Sequence, residues 1–248
     1  MATTARPASP FVELARLVLP ASCPGCGTPD VPLCPGCARS LLGPVRRVED
    51  GAPRLDHLDG TAVLPVWSAA AYSGPVRGIV PAWKDGRRAD LTPVLTSAMA
   101  RCAAVASRDL APAADGRAVQ VVPVPSRPGV RRRRGADLVG LLAAACAAEL
   151  RTRGVDARVV VVLGRRRGRD QVGLGARDRG LNLSRALRLR GRPCGLFLLV
   201  DDVVTTGATL AACEEALAGG GGLVLGALVV AATPRITRAP LSTSGQAG

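Results

Sequence analysis

The sequence predicts an α/β fold in which helices cover both faces of a parallel sheet, with a small cysteine module in front of it. Apolar runs of strand length alternate with helical patterns over residues 61–233, which is typical of strand–helix–strand units with right-handed crossovers. The run at residues 197–200 is apolar on both faces, as expected of a buried parallel strand. Four cysteines lie close together ahead of the first predicted strand.

The predicted elements follow in the order that such a sheet requires. Strands are expected at residues 61–70, 119–125, 158–163, 197–200 and 223–231. Helices are expected at residues 76–84, 91–109, 136–150 and 208–218, after a short helical stretch at 11–19. The segment at 46–60 is polar and broken by Pro and Gly, and is predicted to be a linker. Residues 164–183 have no apolar period and are expected to form a mobile loop, and the polar tail at 234–248 is expected to be disordered.

The chain carries 33 basic residues against 19 acidic ones, for a net charge of +14. Such an excess favours an anionic partner, either nucleic acid or phosphorylated metabolites. An Arg-rich genome composition explains why Lys84 is the only lysine, but not why basic residues outnumber acidic ones. No segment reaches the ~20 apolar residues of a membrane span. Charges at Arg6, Glu13 and Arg16 interrupt the N-terminal apolar stretch, so no signal peptide is indicated and a cytoplasmic protein is expected.

Two Cys-Pro-Gly-Cys turns, with seven residues between them, form the cysteine module. A Cys-x-x-Cys turn brings two thiolates to one ion, and two such turns supply the four sulfurs that tetrahedral zinc prefers. Redox-active pairs are the alternative, but they belong in a strand–helix context that this segment lacks. We predict a closed structural zinc site formed by Cys23, Cys26, Cys34 and Cys37. The other four cysteines lie singly within or beside apolar segments, where packing is their expected role.

The stretch at residues 197–209 is the most informative part of the chain. Four apolar residues end in two adjacent acids, Asp201 and Asp202, and a Thr/Gly loop then opens onto a helix. In open α/β sheets ligands bind at the carboxyl ends of the strands. A loop of this composition at a helix N-terminus can bind a phosphate through backbone amides, hydroxyl groups and the positive end of the helix dipole. The acids suit ribose hydroxyls or a magnesium ion shared with a pyrophosphate.

Together these features indicate a phosphoribosyl site, although an acidic strand end before a capped helix also occurs in α/β domains without one. The stretch closely resembles the phosphoribosyl pyrophosphate (PRPP) motif of type I phosphoribosyltransferases. That resemblance implies that Asp201 and Asp202 hold the ribose 2′- and 3′-hydroxyls, with Mg²⁺ bound beside PRPP. It also implies that the 5′-phosphate is wrapped by Thr205, Thr206, Gly207, Ala208 and Thr209.

Further motifs resemble the ComF family of competence-associated proteins, in which a Cys-x-x-Cys module precedes a type I phosphoribosyltransferase-like domain. The matching residues are Tyr72-x-Gly74-x-x-Arg77 with Ile79 and Lys84, the strand at 122–125 with Arg134-Gly135, and a middle loop with Gln171, Leu174, Arg179 and Asn182. The resemblance covers about residues 21–233. It implies a zinc module at 21–45 and a phosphoribosyltransferase-like domain at 61–233.

The resemblance also implies roles for two basic loops. Pyrophosphate would be bound by Arg127, Arg131, Arg134 and Gly135. A mobile loop would contribute Arg165, Gln171, Arg179 and Asn182. The arginines at 131–134 and 165–169 equally suit the backbone of single-stranded DNA, and the sequence does not separate the two uses. With few aromatic residues for stacking, nucleic-acid binding is expected to be electrostatic and sensitive to salt.

Two departures from the related sequences bear on activity. Ala136-Asp137-Leu138 stands where many ComF proteins carry Phe-Asn-Gln, which changes the surroundings of the pyrophosphate loop. Thr205 stands where purine phosphoribosyltransferases place an aspartate, and a threonine does not accept a ring proton near neutral pH. Purine salvage is therefore disfavoured. Orotate phosphoribosyltransferases tolerate a threonine there but use loop lysines, and the arginines found here are poor general acids.

The leading expectation is a PRPP-binding, ComF-type protein that assists natural transformation by handling single-stranded DNA together with DNA-uptake proteins. One alternative is an active phosphoribosyltransferase of nucleotide metabolism with an unidentified acceptor. Another is a regulator that senses PRPP without chemistry. Both alternatives use the same predicted PRPP site.

Overall fold

The computed structural model describes residues 22–55, 64–86, 88–125, 137–165 and 187–234. Several sequence predictions lie outside these ranges. They are the helical stretch at 11–19, the basic loop at 127–135, the mobile-loop positions from 166 to 183, and the tail from 235 onward.

Over the described residues the chain alternates strands and helices as predicted. The strands are β1 (Arg46–Arg47), β2 (Val66–Ala71), β3 (Val119–Pro123), β4 (Ala157–Val159), β5 (Leu163–Arg165), β6 (Leu187–Leu189), β7 (Gly195–Val204) and β8 (Gly222–Ala232). The helices are α1 (Pro35–Arg39), α2 (Val76–Lys84), α3 (Thr92–Ala114), α4 (Leu138–Thr152) and α5 (Ala208–Gly219). None of the helices in the described ranges combines the length and the apolar character needed to cross a membrane.

Six strands form the main sheet in the order β1-β2-β8-β7-β3-β4. The pairs β2–β8, β8–β7, β7–β3 and β3–β4 are all parallel, and the short β1 runs antiparallel to β2. β5 and β6 form a separate antiparallel pair. The predicted fold class, α/β with a mostly parallel central sheet behind a cysteine module, is confirmed.

Strand β7 lies between two neighbours and is buried on both faces. Leu196, Leu198 and Val200 join the core beneath α2, α3 and α4, whereas Phe197 and Leu199 join the core beneath α5. Each fully buried side chain of this size stabilises the fold by about 1.5–3 kcal/mol relative to exposure. The two-sided apolar run that the sequence shows is therefore explained by helices on both faces of the sheet.

Three elements differ from the predictions. β7 continues through Val204, so the two acids lie within the strand rather than after it. The strand predicted at 158–163 is divided, because β4 pairs with β3 while β5 pairs with β6. The predicted linker is partly structured, since β1 pairs with β2 and the segment at 52–55 contacts the loop after β7.

The cysteine module packs against the helices of the main sheet. Cys23 and Cys37 are buried in the same core as α2 and α3. Arg101 of α3 donates hydrogen bonds to the carbonyls of Leu41 and Gly43, which follow the module. Among the cysteines outside the module, Cys102, Cys146 and Cys213 are buried as expected, but Cys194 is exposed because it lies in the turn before β7.

Candidate functional site

The order in which strands are added to the sheet reverses between β3 and β7. From β3 the chain passes through α4 to β4 on one side, and from β7 it passes through α5 to β8 on the other. α4 and α5 cover opposite faces of the sheet. Such a switch point leaves a crevice at the carboxyl ends of the two strands, which is where ligands bind in open α/β sheets.

β7 extends beyond β3 at this crevice. The pairing between the strands ends at Pro123 and Val200, with one further bond of 2.9 Å from the N–H of Val124 to the carbonyl of Val200. The next residues of β7 use side-chain acceptors. The N–H of Asp202 donates to Asp201 Oδ1, and the N–H of Val203 donates to Asp202 Oδ1, both at 2.8 Å. Both carboxylates are thus fixed at the open edge.

Asp202 is buried and forms an ion pair with the single lysine of the chain. Only 2% of the residue is exposed, and its Oδ2 contacts Nζ of Lys84, the last residue of α2. Sequence reasoning noted Lys84 only as part of a motif and gave it no partner. A usable signal was present, because a lone lysine at the end of an amphipathic helix stands out in a chain whose other basic residues are arginines.

Asp201 lies on the opposite face of β7. Its register partner on β8 is Val229, which belongs to the core beneath α5. Burial, followed by the neighbouring charge of Asp202, raises the pKa of Asp201 well above its usual value, and Lys84 only partly opposes the shift. The two acids therefore differ in charge environment, and their joint role toward two ribose hydroxyls stays a prediction.

The loop after β7 has the exposed hydroxyl groups that the motif predicts. Thr205 and Thr206 are exposed, while Ala208 and Thr209 are partly buried at the start of α5. Gly207 precedes the helix with φ near +80°, a conformation that favours glycine. Two exposed threonines thus lie beside the positive end of a twelve-residue helix, and the hydroxyl of Thr206 accepts from the N–H of Ala208 at 3.5 Å.

Residues of the predicted linker brace this loop. The N–H of Arg54 donates to the carbonyl of Thr206 at 2.9 Å. A Cβ on Gly207 would lie 2.6 Å from Cγ of Leu55 and 3.1 Å from Cβ of Ala52. The glycine is therefore required by its φ angle and by the packing of Leu55, in addition to any approach of a phosphate. The polar composition of residues 46–60 contained no signal for this contact.

The structure describes only some of the remaining predicted site residues. Arg165 ends β5 on the α5 side. Burial raises the pKa of the Cys213 thiol on α5, the charge of Asp201 raises it further and Arg165 opposes them, so both charges lie near that residue. Asp137, in the segment that departs from the ComF pattern, caps α4 by accepting from the N–H of Gly140 at 3.2 Å. Seven predicted positions lie outside the described residues: Arg127, Arg131, Arg134, Gly135, Gln171, Arg179 and Asn182.

The four cysteines of the module converge as a metal site requires. All four Sγ atoms lie within 4.8 Å of one another, and those of Cys26 and Cys34 are 3.7 Å apart. Tetrahedral zinc, with Zn–S bonds of about 2.3 Å, holds its sulfurs about 3.8 Å apart. A Cβ on Gly25 would lie 2.7 Å from Sγ of Cys37, so only glycine fits inside the turn. The donor set fits a structural zinc ion with no position left for substrate.

Backbone groups already prepare the cluster for a cation. The N–H of Cys34 points to Sγ of Cys23 at 3.5 Å, and the N–H of Cys37 points to Sγ of Cys34 at 3.4 Å. Burial raises the pKa of Cys23, but amide donors that include Cys34 outweigh it and lower the value to about 6. N–H donors directed at sulfur favour thiolates, which are the form that binds metal, whereas burial and the three neighbouring sulfurs raise the pKa of Cys37 above its usual value.

Comparisons with known proteins give little further information. No protein-family model matches the chain, and no match is found among curated proteins. Ten chains of solved structures match it. One is a crystal structure of an HGPRT-ase from Leishmania tarentolae in complex with GMP, with 17% identity, coverage of 60% of this chain and 72% of that chain, and a TM-score of 0.36. At these values the match is no basis for assigning a ligand or an activity.

We predict that the purified protein contains one zinc ion per chain. Cys34→Ser should lose the ion, because three thiolates cannot complete a closed tetrahedral site, while the larger domain stays folded. Elemental analysis of protein prepared under reducing conditions measures the metal, and circular dichroism measures the fold. Cys194→Ser is the matched control, since it removes an exposed thiol outside the cluster and should keep the zinc. A parent protein without zinc contradicts the prediction.

We predict opposite effects on stability for Asp201→Asn and Asp202→Asn. Asp201 has a raised pKa in the folded state, so its carboxyl supports folding at acidic pH and this support is lost as the pH rises through the folded pKa. Asp201→Asn should therefore raise the melting temperature at pH 7–8 more than at pH 4. Asp202→Asn removes the charge that Lys84 pairs with, and loss of this contact at a buried site should cost about 1–3 kcal/mol at neutral pH. Thermal melts across this pH range test both, and equal responses of the two variants contradict the assignment.

Proposed function

We propose that the chain is a PRPP-binding protein of the ComF type that assists DNA uptake by handling single-stranded DNA. The observation that carries the proposal is the position of residues 201–209. The acidic pair and the Thr/Gly loop lie at the switch point between β3 and β7, where α/β sheets bind ligands. The zinc-type cysteine cluster ahead of the sheet agrees with the same family.

The geometry supports a division of the ligand between two places. The 5′-phosphate would lie at the N-terminus of α5, where Thr205 and Thr206 are exposed and the helix dipole is favourable. The ribose would lie toward Asp201 and Asp202, whose carboxylates mark the point where β7 leaves β3. Mg²⁺ would join the pyrophosphate oxygens, since it prefers oxygen ligands and keeps several waters.

The DNA part of the proposal rests on charge and on the family resemblance. The net charge of +14 attracts polyanions in general. The arginines at 131–134 follow β3 in the sequence, and those at 165–169 begin with the last residue of β5. Since β3 ends at the crevice, the first of these clusters follows directly from the strand beside the proposed metabolite site. The proposed cellular setting is the cytoplasm, in contact with DNA-uptake proteins.

Catalysis is a second candidate, and the raised pKa of Asp201 favours it. A carboxyl with a raised pKa in a crevice is typical of proton-transfer groups. In the reaction an acceptor atom would bond to ribose C1, the bond from C1 to the pyrophosphate oxygen would break, and the acceptor proton would pass to a base. Pyrophosphate release from PRPP and Mg²⁺ with a panel of bases tests this. Release that depends on the base supports a transferase, and tight binding without release supports a sensor or DNA-handling role.

We predict that PRPP with Mg²⁺ binds at residues 201–209. Replacing both Asp201 and Asp202 by Asn should weaken binding about 100-fold, because two charged acceptors are lost. Thr206→Val should weaken it about 10-fold through loss of one hydroxyl donor. Isothermal titration calorimetry measures the affinities. Thr152→Val alters an exposed threonine at the end of α4 and is the matched control.

Unchanged PRPP affinity in both site variants places the site elsewhere. Gly207→Val is a poor test despite its position in the loop, because its side chain would collide with Leu55 and disturb the brace as well as any phosphate site.

We predict that binding of single-stranded DNA weakens steeply as salt increases. Counterion release makes the logarithm of the binding constant fall linearly with the logarithm of salt, by about 0.7 per phosphate contact. Arg→Ala changes at 131–134 or at 165–169 should reduce both the affinity and this slope. Fluorescence anisotropy with a labelled oligonucleotide measures them. The control is the double variant Arg117→Ala, Arg192→Ala, which removes two exposed arginines at the amino ends of β3 and β7. Weak binding that does not depend on salt contradicts the DNA role.

A further inference from the structure

We propose that the cysteine module holds Lys84 against Asp202 through helix α2, so that the metal cluster and the candidate ligand site form one mechanical unit. The inference concerns Lys84 as a positioning residue, and its effect on ligand affinity rests on the proposed PRPP function. Its evidence is a continuous series of contacts from the first Cys-x-x-Cys turn to the acidic pair.

The first contact joins the turn directly to the backbone of α2. A Cβ on Gly78 would lie 1.9 Å from the carbonyl oxygen of Pro24, so the helix and the turn touch with no side chain between them. A Cβ on Gly25 would lie 2.9 Å from Cβ of Pro75, the residue that precedes the helix. The N-terminal half of α2 is thus seated on the metal-binding turn.

A second contact ties the segment after α2 to the same module. Arg88 donates through Nη1 to the carbonyl of Ser22 at 3.2 Å and through Nη2 to that of Pro32 at 2.7 Å. Its guanidinium is also paired with Asp90, which fixes the orientation of the donors. Both ends of α2 are therefore connected to the polypeptide that surrounds the four sulfurs.

The helix transmits this position to Lys84. From Gly78 to Lys84 the rise along an α-helix is about 9 Å. Pro81 interrupts the hydrogen bonds of this stretch, so the helix is held in place by its buried face, where Ile79, Val80 and Trp83 pack in the core. Its C-terminal end is further fixed by Trp83, whose Nε1–H donates to Oγ1 of Thr92 at 3.0 Å. Nζ of Lys84 then contacts Oδ2 of Asp202, a residue that is 2% exposed.

The consequence follows from the burial of Asp202. Its Oδ1 accepts from the N–H of Val203, and the charge on the other oxygen is compensated by Lys84. If the cysteine turn relaxes, α2 loses the surface that seats it and Lys84 withdraws. A buried carboxylate without its counter-charge is costly, so the side chain reorients and the acidic pair loses the arrangement offered to a ligand.

A double-mutant cycle for PRPP affinity tests the pathway. Gly78→Ala separates α2 from Pro24 without altering a cysteine or an acid, and Lys84→Met removes the positioning charge. We expect each to weaken PRPP binding about 10-fold and the double variant to be no weaker than Lys84→Met alone, since both act on the same pair. Multiplied effects, about 100-fold, overturn the proposal because they indicate independent damage. The control is Gly219→Ala, a helical glycine in α5 with open space around its Cβ.

A second readout needs no ligand and distinguishes failure of this proposal from failure of the PRPP function. Removing zinc from the parent with a chelator should accelerate amide hydrogen exchange at residues 82–85 about 10-fold or more, with little change in α5. Gly78→Ala should accelerate exchange at the same residues. If Gly78→Ala does not fold, Arg88→Met is used in its place. A parent that binds no PRPP refutes the proposed function, while unchanged exchange at residues 82–85 refutes the coupling.

Discussion

Strand β7 is paired on both sides, buried on both faces, and longer than its neighbour β3, and the candidate site depends on this combination. The hydrogen bonds to β3 and β8 fix the strand at the centre of the sheet. Because β3 stops at Pro123, the following residues of β7 use their own carboxylates as acceptors for backbone N–H groups. The end of the β3 ladder therefore determines where the two acids lie along β7, just ahead of the loop to α5.

This arrangement is costly to the folded state. Two adjacent carboxylates lie in a poorly solvated place, and among the described residues Lys84 forms an ion pair with Asp202. Asp201 responds with a pKa raised well above its usual value. A neutral residue at position 201 would remove this penalty, so the acid is not explained by stability. Residues that break the local rules of stability in a crevice are typical of functional sites, where a bound cation or sugar offsets the cost.

The sequence predicted the fold class because its signals are local. Alternating helical and apolar runs define the elements, and the order Asp-Asp-Val-Val-Thr-Thr-Gly identifies the candidate loop without knowledge of the sheet. The errors concern contacts between distant segments. The length of β7, the pairing of β5 with β6 and the bond from Arg54 to Thr206 all depend on partners far away in the chain. The opposite faces of Asp201 and Asp202 were within reach of sequence reasoning, because successive residues of a strand alternate.

The segment at 22–55 connects the two halves of the candidate site, although its sequence suggests a separate module followed by a linker. At one end, the Cys-x-x-Cys turn seats α2, and α2 presents Lys84 to the acidic pair. At the other end, Leu55 packs against Gly207 in the loop proposed for the phosphate. A ligand that joins a sugar to a phosphate would span both places. The same short segment therefore braces the sugar side through a helix and the phosphate side directly, which gives the cysteine cluster a structural reason to lie ahead of this sheet.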